Sequence, residues 1–171
     1  DMLEFSKSLP TNTSRQTMMI SMCSTIASIQ GHVIIDFRTV LEKGLLQMKK
    51  DVKNILEGDG SLTEEQRNYL ESIQIALEGV IIYAKRLADA VEHELQSEKD
   101  PERRGILKQM LENCRHVPLH PAETFYQAVQ SAWTLKTAVE VAHPINLHCL
   151  GRMDQLFYPY YEKAIQEGRI T

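Results

Sequence analysis

Histidine and cysteine side chains are the residue types in this chain most often used for metal binding and nucleophilic chemistry. Cys114, His116 and His120 have the side chains of zinc ligands and lie close together in the sequence. Their spacing matches no known zinc pattern, and Pro118 and Pro121 shape this segment instead. We therefore predict no metal site in the chain.

Cys149, His32 and a charged pair are further candidates for a functional role, judged from their residue types alone. A buried cysteine usually acts as a small apolar residue, and nothing near Cys149 indicates a lowered pKa. His32 follows Gly31 at a predicted strand start, where a hydrogen-bonded structural histidine is the commoner outcome. Arg152 and Asp154 could pair, and we predict structural roles for both. The guanidinium would fix backbone or carboxylate groups, and Asp154 would cap the last helix.

Composition narrows the class of protein. The chain has 171 residues, of which 43% are hydrophobic and 25% charged, as in an ordinary globular protein of no more than one domain. A net charge of −4 gives no reason to expect nucleic acid or anionic lipid as a partner. No window approaches the length of an apolar membrane span, and residues 1–4 do not resemble a signal peptide.

The cysteines and the chain ends carry two further expectations. Three cysteines, odd in number and far apart, fit reduced thiols in the cytoplasm better than a disulfide framework. The sequence does not start with Met and stops just after a helical pattern. We expect a piece of a longer protein.

The elements that must position these residues are mainly helices. Asp36 is placed to cap a helix from about Phe37 to Leu56, whose apolar residues recur every three or four positions. The capping box Ser61–Glu64 predicts a long helix from about Leu62 to Gln96. Its predicted inner stripe is Leu70, Ile73, Leu77, Val80, Ile81, Ala84, Leu87, Ala88, Val91 and Leu95.

The second half of the sequence is also predicted to be mainly helical. Asp100 and Pro101 predict the start of a helix, and another should run from near Pro121 to Ala142, before Pro144. The first would bury Ile106, Met110, Leu111 and Cys114, and the second Phe125, Val129, Ala132, Trp133, Leu135, Lys136 and Val139. A strand at 145–150, a turn at 151–154 and a helix from Gln155 to Glu167 complete the pattern. Long helices with one or two short strands suit the outer layer of a larger barrel.

Three stretches carry a resemblance. The first is Gly31-His32-Val33-Ile34-Ile35-Asp36-Phe37, followed by Val40-Leu41 and Gly44-Leu45. The second is Cys114-Arg115-His116-Val117-Pro118 with the run from Pro121 to Gln130. The third and most specific is Leu150-Gly151-Arg152-Met153-Asp154-Gln155, followed by Tyr158-Pro159-Tyr160-Tyr161 and Gly168-Arg169-Ile170-Thr171. In order and spacing they resemble the pyruvate formate-lyase-like domain of glycyl radical enzymes, particularly dehydratase and decarboxylase members.

The resemblance implies a fold for this chain and indicates which functional residues of the family it would contain. The chain would be a mainly α fragment of an α/β protein, with outer helices and one or two strands of a ten-stranded barrel. Residues 1–171 would form a partial domain. In the family a cysteine forms a thiyl radical and a glycine in a C-terminal loop stores the radical. Neither loop matches this sequence, so no catalytic residue is assigned within it. His32, and more loosely His148 and Cys149, would contact substrate, while Gly151, Arg152, Asp154 and Gln155 form a structural motif.

The implied activity is radical elimination or cleavage of a C–C or C–O bond in a small organic substrate. No organic cofactor would be bound. A separate S-adenosylmethionine activase with an iron–sulfur cluster would install the glycyl radical, and the parent could form a homodimer. The alternatives are acyl transfer of the formate C-acetyltransferase type and a non-catalytic helical interaction module.

Overall fold

The computed structural model describes residues 34–58, 60–142 and 149–170. These ranges contain six helices, which we number along the chain. They are α1 (Phe37–Lys43), α2 (Leu45–Gly58), α3 (Glu64–Ser97), α4 (Pro101–His116), α5 (Phe125–Ala142) and α6 (Met153–Gln166). The prediction of a mainly helical chain is confirmed for this part of the molecule.

Extended structure within the described ranges is limited to one isolated parallel bridge, between Ile34 and Cys149. Both residues belong to stretches predicted as strands. Val33 and residues 145–148 of those stretches, with Pro144, lie outside the described residues. Leu150 is described and is not in a strand.

The predicted single helix from Phe37 to Leu56 is wrong, because Gly44 divides it into α1 and α2. Gly44 has a φ of 73°, which lies in the left-handed region that glycine tolerates best. A Cβ at this position would lie 2.5 Å from the Leu119 carbonyl oxygen. The Leu45 and Leu46 N–H groups donate to the Pro118 and Leu119 carbonyls at 2.9 and 3.1 Å. The loop before α5 therefore caps α2 through its backbone, which an apolar period cannot reveal.

Three other helix starts differ from prediction by a few residues. The last helix, α6, begins at Met153 and not at Gln155, so it takes in part of the predicted turn at 151–154. Thr63, rather than Ser61, caps α3 in a capping box with Gln66, so α3 begins at Glu64. The Thr124 hydroxyl accepts from the Gln127 N–H at 3.2 Å, and α5 begins at Phe125 rather than near Pro121. A side chain that satisfies free N–H groups decides where α3 and α5 start.

Of the other predicted helix caps, two are confirmed and one is wrong. Asp36 caps α1 and accepts from the Thr39 N–H at 3.2 Å, and Asp100 caps α4 with Pro101 in the first turn. Both predictions are confirmed. Asp154 does not cap α6. The cap residue is Arg152, and Asp154 lies inside the first turn.

The hydrophobic core is divided along α3. Around its middle, Ile81 packs with Phe37, Val40 and Leu45 and with Ala132 and Leu135 of α5. Nearer its end, Ala88 and Val91 pack with Leu107, Leu111 and Cys114 of α4. The predicted stripe of α3 is confirmed at these buried positions.

Predicted buried faces on α4 and α5 are partly wrong. Ile106 is 62% exposed, while Leu107 takes its place in the core. On α5, Val129 is 39% and Trp133 57% exposed, whereas Ala128, Ser131, Ala132, Thr134, Leu135 and Ala138 are buried. Apolar residues occur around most of α5, so the period alone could not identify the packed side.

Candidate functional site

The three stretches that carry the resemblance pack together in one cluster. Leu41 of the first stretch is buried with Val117, Ala122 and Ala128 of the second. Leu156, Phe157 and Tyr160, which adjoin or belong to the third stretch, pack against them. The Ala122 N–H also donates to the Leu41 carbonyl at 2.9 Å. Segments far apart in sequence thus form one structural unit, as the ordered motifs indicate.

The first stretch also meets the start of the third stretch and the residue just before it. Ile34 and Cys149 form the parallel bridge, and a Cβ on Gly151 would lie 3.3 Å from Ile34 Cγ2. Gly151 has a φ of 69°, so the backbone turns sharply just after the bridge and enters α6.

Arg152 and Asp154 form a two-pronged ion pair in this turn. Arg152 Nε and Nη2 donate to the two Asp154 carboxylate oxygens at 3.0 and 2.8 Å. Hydrogen bonds from Arg152 lower the pKa of the Asp154 carboxyl, and the carboxylate raises the pKa of Arg152. Asp154 also lies in the first turn of α6, where the helix dipole favours a negative charge. Arg152 thus contacts a carboxylate, as the sequence analysis expected, and its structural role stays a prediction.

A cavity of about 250 Å³ lies between the two stretches. It is lined by Ile34–Arg38 on one side and by Leu150–Arg152, Gln155 and Leu156 on the other. Asp36 in its wall is already engaged by Thr39, whose hydroxyl donates at 2.6 Å. That bond and the Thr39 N–H lower the pKa of Asp36. The Asp36 carboxylate is thus ionised and already accepts hydrogen bonds from Thr39. It is therefore better suited to a structural role than to donating a proton.

The predicted substrate residues are only partly described. His32 and His148 lie outside the described residues, so their roles remain predictions. Cys149 is described and is exposed at the parallel bridge. Among the motif residues, Gly151, Arg152, Asp154 and Gln155 lie together in the turn and the first turn of α6.

The residues with zinc-ligand side chains are held by other interactions. Cys114 is buried, and burial raises the pKa of its thiol to about 11. His116 Nε2 lies 2.9 Å from the Pro121 carbonyl oxygen, and its ring stacks on His120 with centroids 5.2 Å apart. Across residues 34–58, 60–142 and 149–170, no group of three or more His, Cys, Asp or Glu could hold a metal ion.

Two parts of the site were missed from the sequence. The loop from Pro118 to Leu119 caps α2 and thereby orients the helix pair that follows Asp36. Phe125, at the start of α5, contacts Phe157 and Tyr161 edge-on at 6.3 and 5.8 Å between ring centroids. The Pro-Ala-Glu-Thr-Phe run contains Phe125 and was the available signal for the aromatic contact, whereas no sequence signal indicated that Pro118 and Leu119 cap α2.

No described helix combines the length and apolar character needed to cross a membrane. The described helices form a scaffold in which the three motif stretches pack together, and the parallel bridge lies beside them.

The family described as pyruvate formate lyase-like matches residues 6–171. The chain belongs to this family, and its relatives are glycyl radical enzymes. Isethionate sulfite-lyase of Nitratidesulfovibrio vulgaris is 35% identical over 141 residues, which cover 80% of this chain and 17% of that protein.

Solved structures agree with this assignment. A glycyl radical enzyme from Archaeoglobus fulgidus superposes with a TM-score of 0.76 at 32% identity, over 82% of this chain and 18% of that one. A second solved structure, whose description concerns 1,2-propanediol dehydration in Roseburia inulinivorans, superposes with a TM-score of 0.75 at 36% identity and covers the same shares of the two chains. The chain thus spans less than a fifth of these relatives, and the matched part has their fold.

Proposed function

We propose that this chain is the part of a glycyl radical enzyme that supplies scaffold helices and one side of a substrate pocket. The parent enzyme would catalyse radical elimination, or cleavage of a C–C or C–O bond, in a small organic substrate. The parallel bridge between Ile34 and Cys149 carries this proposal, because it joins the two stretches that the family resemblance associates with substrate.

The bridge residues would be parts of two neighbouring parallel strands of a barrel, around which α1 to α6 form outer helices. Parallel pairing supports this, since parallel strands need long crossover connections that usually contain helices. Five helices lie between Ile34 and Cys149 in the described part of that stretch. Residues 1–171 would be an incomplete pyruvate formate-lyase-like domain.

The pocket side chains would be His32, His148 and Cys149. His32 is two residues before Ile34 and His148 directly precedes Cys149. Their closeness in sequence to the two bridge residues is what supports both assignments. A histidine can donate to or accept from a substrate hydroxyl or carboxylate at neutral pH. Gly151, Arg152, Asp154 and Gln155 would hold the turn that follows.

The radical chemistry would lie elsewhere in the parent. Its thiyl-forming cysteine and radical-storing glycine would be outside this chain, and a separate S-adenosylmethionine and iron–sulfur activase would generate the radical. The parent would be a cytoplasmic protein, with a homodimer as its assembly. The named activities of the relatives, a sulfite-lyase and a diol dehydration, favour lyase chemistry over acyl transfer.

The test uses the intact parent polypeptide, activated anaerobically with its activase and S-adenosylmethionine. The activated protein should show the electron paramagnetic resonance signal of a glycyl radical. His32→Ala should keep this signal and weaken substrate binding or turnover roughly 10- to 100-fold, the worth of one or two hydrogen bonds to substrate.

The matched control is His93→Ala, because His93 is exposed on α3 away from the bridge. It should leave both signal and turnover unchanged. A parent that forms no glycyl radical would refute the proposed function. A normal turnover in His32→Ala would refute the role of that histidine alone.

A further inference from the structure

The exposed side of α3 carries two isoleucines that are seven residues apart. Ile75 and Ile82 are 75% and 42% exposed, and Ile75 has the largest exposed fraction of any large hydrophobic residue in the described part of the chain. Residues seven apart lie on one face of a helix. This face is opposite the buried residues Ile81, Ala84 and Ala88, so the described residues leave it open to solvent.

Gly79 lies between these two isoleucines on the same side of the helix. A Cβ at this position would meet nothing within 4 Å, so packing among the described residues does not require a glycine there. Glycine is destabilising in a helix interior relative to alanine, and it allows another backbone to approach closely. The exposed side of α3 therefore has a low centre with an apolar side chain before it and another after it.

Charged residues on this side of α3 divide by sign along the helix. Glu71 lies about one turn before Ile75, whereas Lys85 and Arg86 lie about one turn after Ile82. Glu71 and Arg86 are both exposed, and neither forms an ion pair with another described residue. The order along the helix is therefore acidic, apolar and basic. We call the following five residues the α3 face: Glu71, Ile75, Gly79, Ile82 and Arg86.

The α3 face is complementary to a second copy of itself in the antiparallel direction. A two-fold axis just before Gly79 would place Ile75 of each copy opposite Ile82 of the other. It would also place Glu71 of each copy opposite Arg86 of the other, so that two isoleucine contacts and two ion pairs form together. A parallel pairing in register would instead bring Glu71 next to its own copy. Complementary charges of this kind fix the register of an interface and disfavour the alternative.

The other charges near the two-fold axis are compatible with this pairing. Glu78 would lie near its own copy, and it is already in an ion pair with Lys49 of its own chain. Asp89 would lie opposite Asn68 of the second copy, which is a neutral side chain. Lys85 would add positive charge at the basic end of the contact, which faces the acidic end of the other helix.

We infer that the α3 face binds the same face of a second copy of the parent protein, with the two α3 helices antiparallel about a two-fold axis beside Gly79. Charge complementarity supports this occupant, because an uncharged apolar segment would leave Glu71 and Arg86 without opposite charges. The inference rests on the homodimer of the proposed function, and it adds the surface through which the two copies meet.

The test measures the dimer dissociation constant of the intact parent polypeptide by analytical ultracentrifugation over a range of protein concentrations. Arg86→Glu puts like charges opposite each other at both ends of the contact, and it should raise the dissociation constant at least roughly 10-fold. Adding Glu71→Arg to this variant restores opposite charges in exchanged order, and the double variant should regain most of the lost affinity. The matched control is Lys108→Glu, because Lys108 is exposed on α4 and its replacement changes the net charge equally. It should leave the dissociation constant unchanged.

A parent that stays monomeric at every concentration would overturn the inference, and so would a dimer that Arg86→Glu leaves unchanged. An equal loss of dimer in Lys108→Glu would also overturn it, because the effect would then follow net charge and not position. If Arg86→Glu fails to fold, Glu71→Arg replaces it and should weaken the dimer similarly, since it reverses the other member of each pair. A parent that dimerises through the α3 face but forms no glycyl radical would refute the proposed radical chemistry and leave this inference standing.

Discussion

The turns at Gly44 and Gly151 both contain a glycine with positive φ, but their surroundings differ. At Gly44 an added Cβ would meet the backbone of Leu119 and His120 at 2.5 to 2.7 Å. At Gly151, among the described residues, it would meet only the Ile34 side chain, at 3.3 Å. The loop backbone at Leu119 is held by its hydrogen bond from α2, whereas the Ile34 side chain can shift by a small change in its torsion angle. The scaffold turn is thus rigidly specified, while the turn beside the candidate pocket tolerates small adjustments.

Replacing Gly44 should have the largest effect. Gly44→Ala forces a Cβ into the Leu119 carbonyl at a left-handed φ, and we expect a loss of about 3 kcal/mol in the free energy of unfolding. Urea unfolding followed by fluorescence can measure it, since Trp133 is the single tryptophan of the chain. The control is Gly79→Ala in α3, where nothing lies within 4 Å, and it should stabilise by up to ~1 kcal/mol. Similar changes of unfolding free energy in the two variants would show that the turn at Gly44 is not rigidly specified.

The two described cysteines extend the comparison to reactivity. Cys114 is buried in the scaffold and the pKa of its thiol is raised from 9.0 to about 11, whereas Cys149 is exposed at the bridge. Near pH 8, iodoacetamide should alkylate Cys114 at least roughly 10-fold more slowly than Cys149, because Cys114 is buried and its raised pKa leaves little of it as the reactive thiolate.

The raised pKa of Cys114 also predicts a pH dependence. Its stabilising effect should be complete below pH 9 and be lost as the pH rises towards about 11, because the unfolded thiol ionises first. Cys114→Ala should reduce the slope of unfolding free energy against pH in this window. An unchanged slope, or equal alkylation of the two cysteines, would contradict the burial described for Cys114.

Replacing Gly151 should cost less than replacing Gly44. We expect Gly151→Ala to lose about 1–2 kcal/mol, chiefly from the left-handed φ. Gly168→Ala is the matched control, since Gly168 has a φ of 67° with nothing within 4 Å of an added Cβ. The difference in unfolding free energy between the two variants measures the Ile34 contact. A loss at Gly151 as large as that at Gly44 would show that the motif turn is equally rigid.

Breaking the Arg152–Asp154 pair should have the smallest effect on stability. Both side chains are well exposed, and water screens the attraction between exposed charges. Because Arg152 lowers the pKa of Asp154, the contribution is present above the usual aspartate range and is lost as the pH falls through the lowered value. In Arg152→Lys, an NMR titration should show the Asp154 pKa closer to its ordinary value. An unchanged Asp154 pKa would show that the pair does not form in solution.

Local signals in the sequence predicted much of the scaffold. Asp36 and Asp100 each precede a helix, and their side chains cap it as expected, because capping depends on residues within a few positions. The buried stripe of α3 was also predictable, since its apolar residues recur on one face. The ordered motifs led to the family from the sequence alone.

The remaining features depend on contacts between distant segments. The break at Gly44 requires the loop near Leu119, which lies far along the chain. The exposed side of α5 could not be recognised, because Trp133 and Val129 are as apolar as the residues that pack inward. In the candidate site, the pairing of Ile34 with Cys149 is likewise a long-range contact that no local pattern specifies.

The length of α3 has a practical consequence. Its 34 residues correspond to about 50 Å at 1.5 Å per residue, more than the diameter of a small domain. The helix reverses into α4 at Glu98 and Lys99, beyond the second core cluster and far along α3 from the packing of Phe37 against Ile81. This reversal is therefore a suitable attachment point for a fluorophore or an affinity tag, because a label there sits at the end of a long rigid arm, away from the motif stretches.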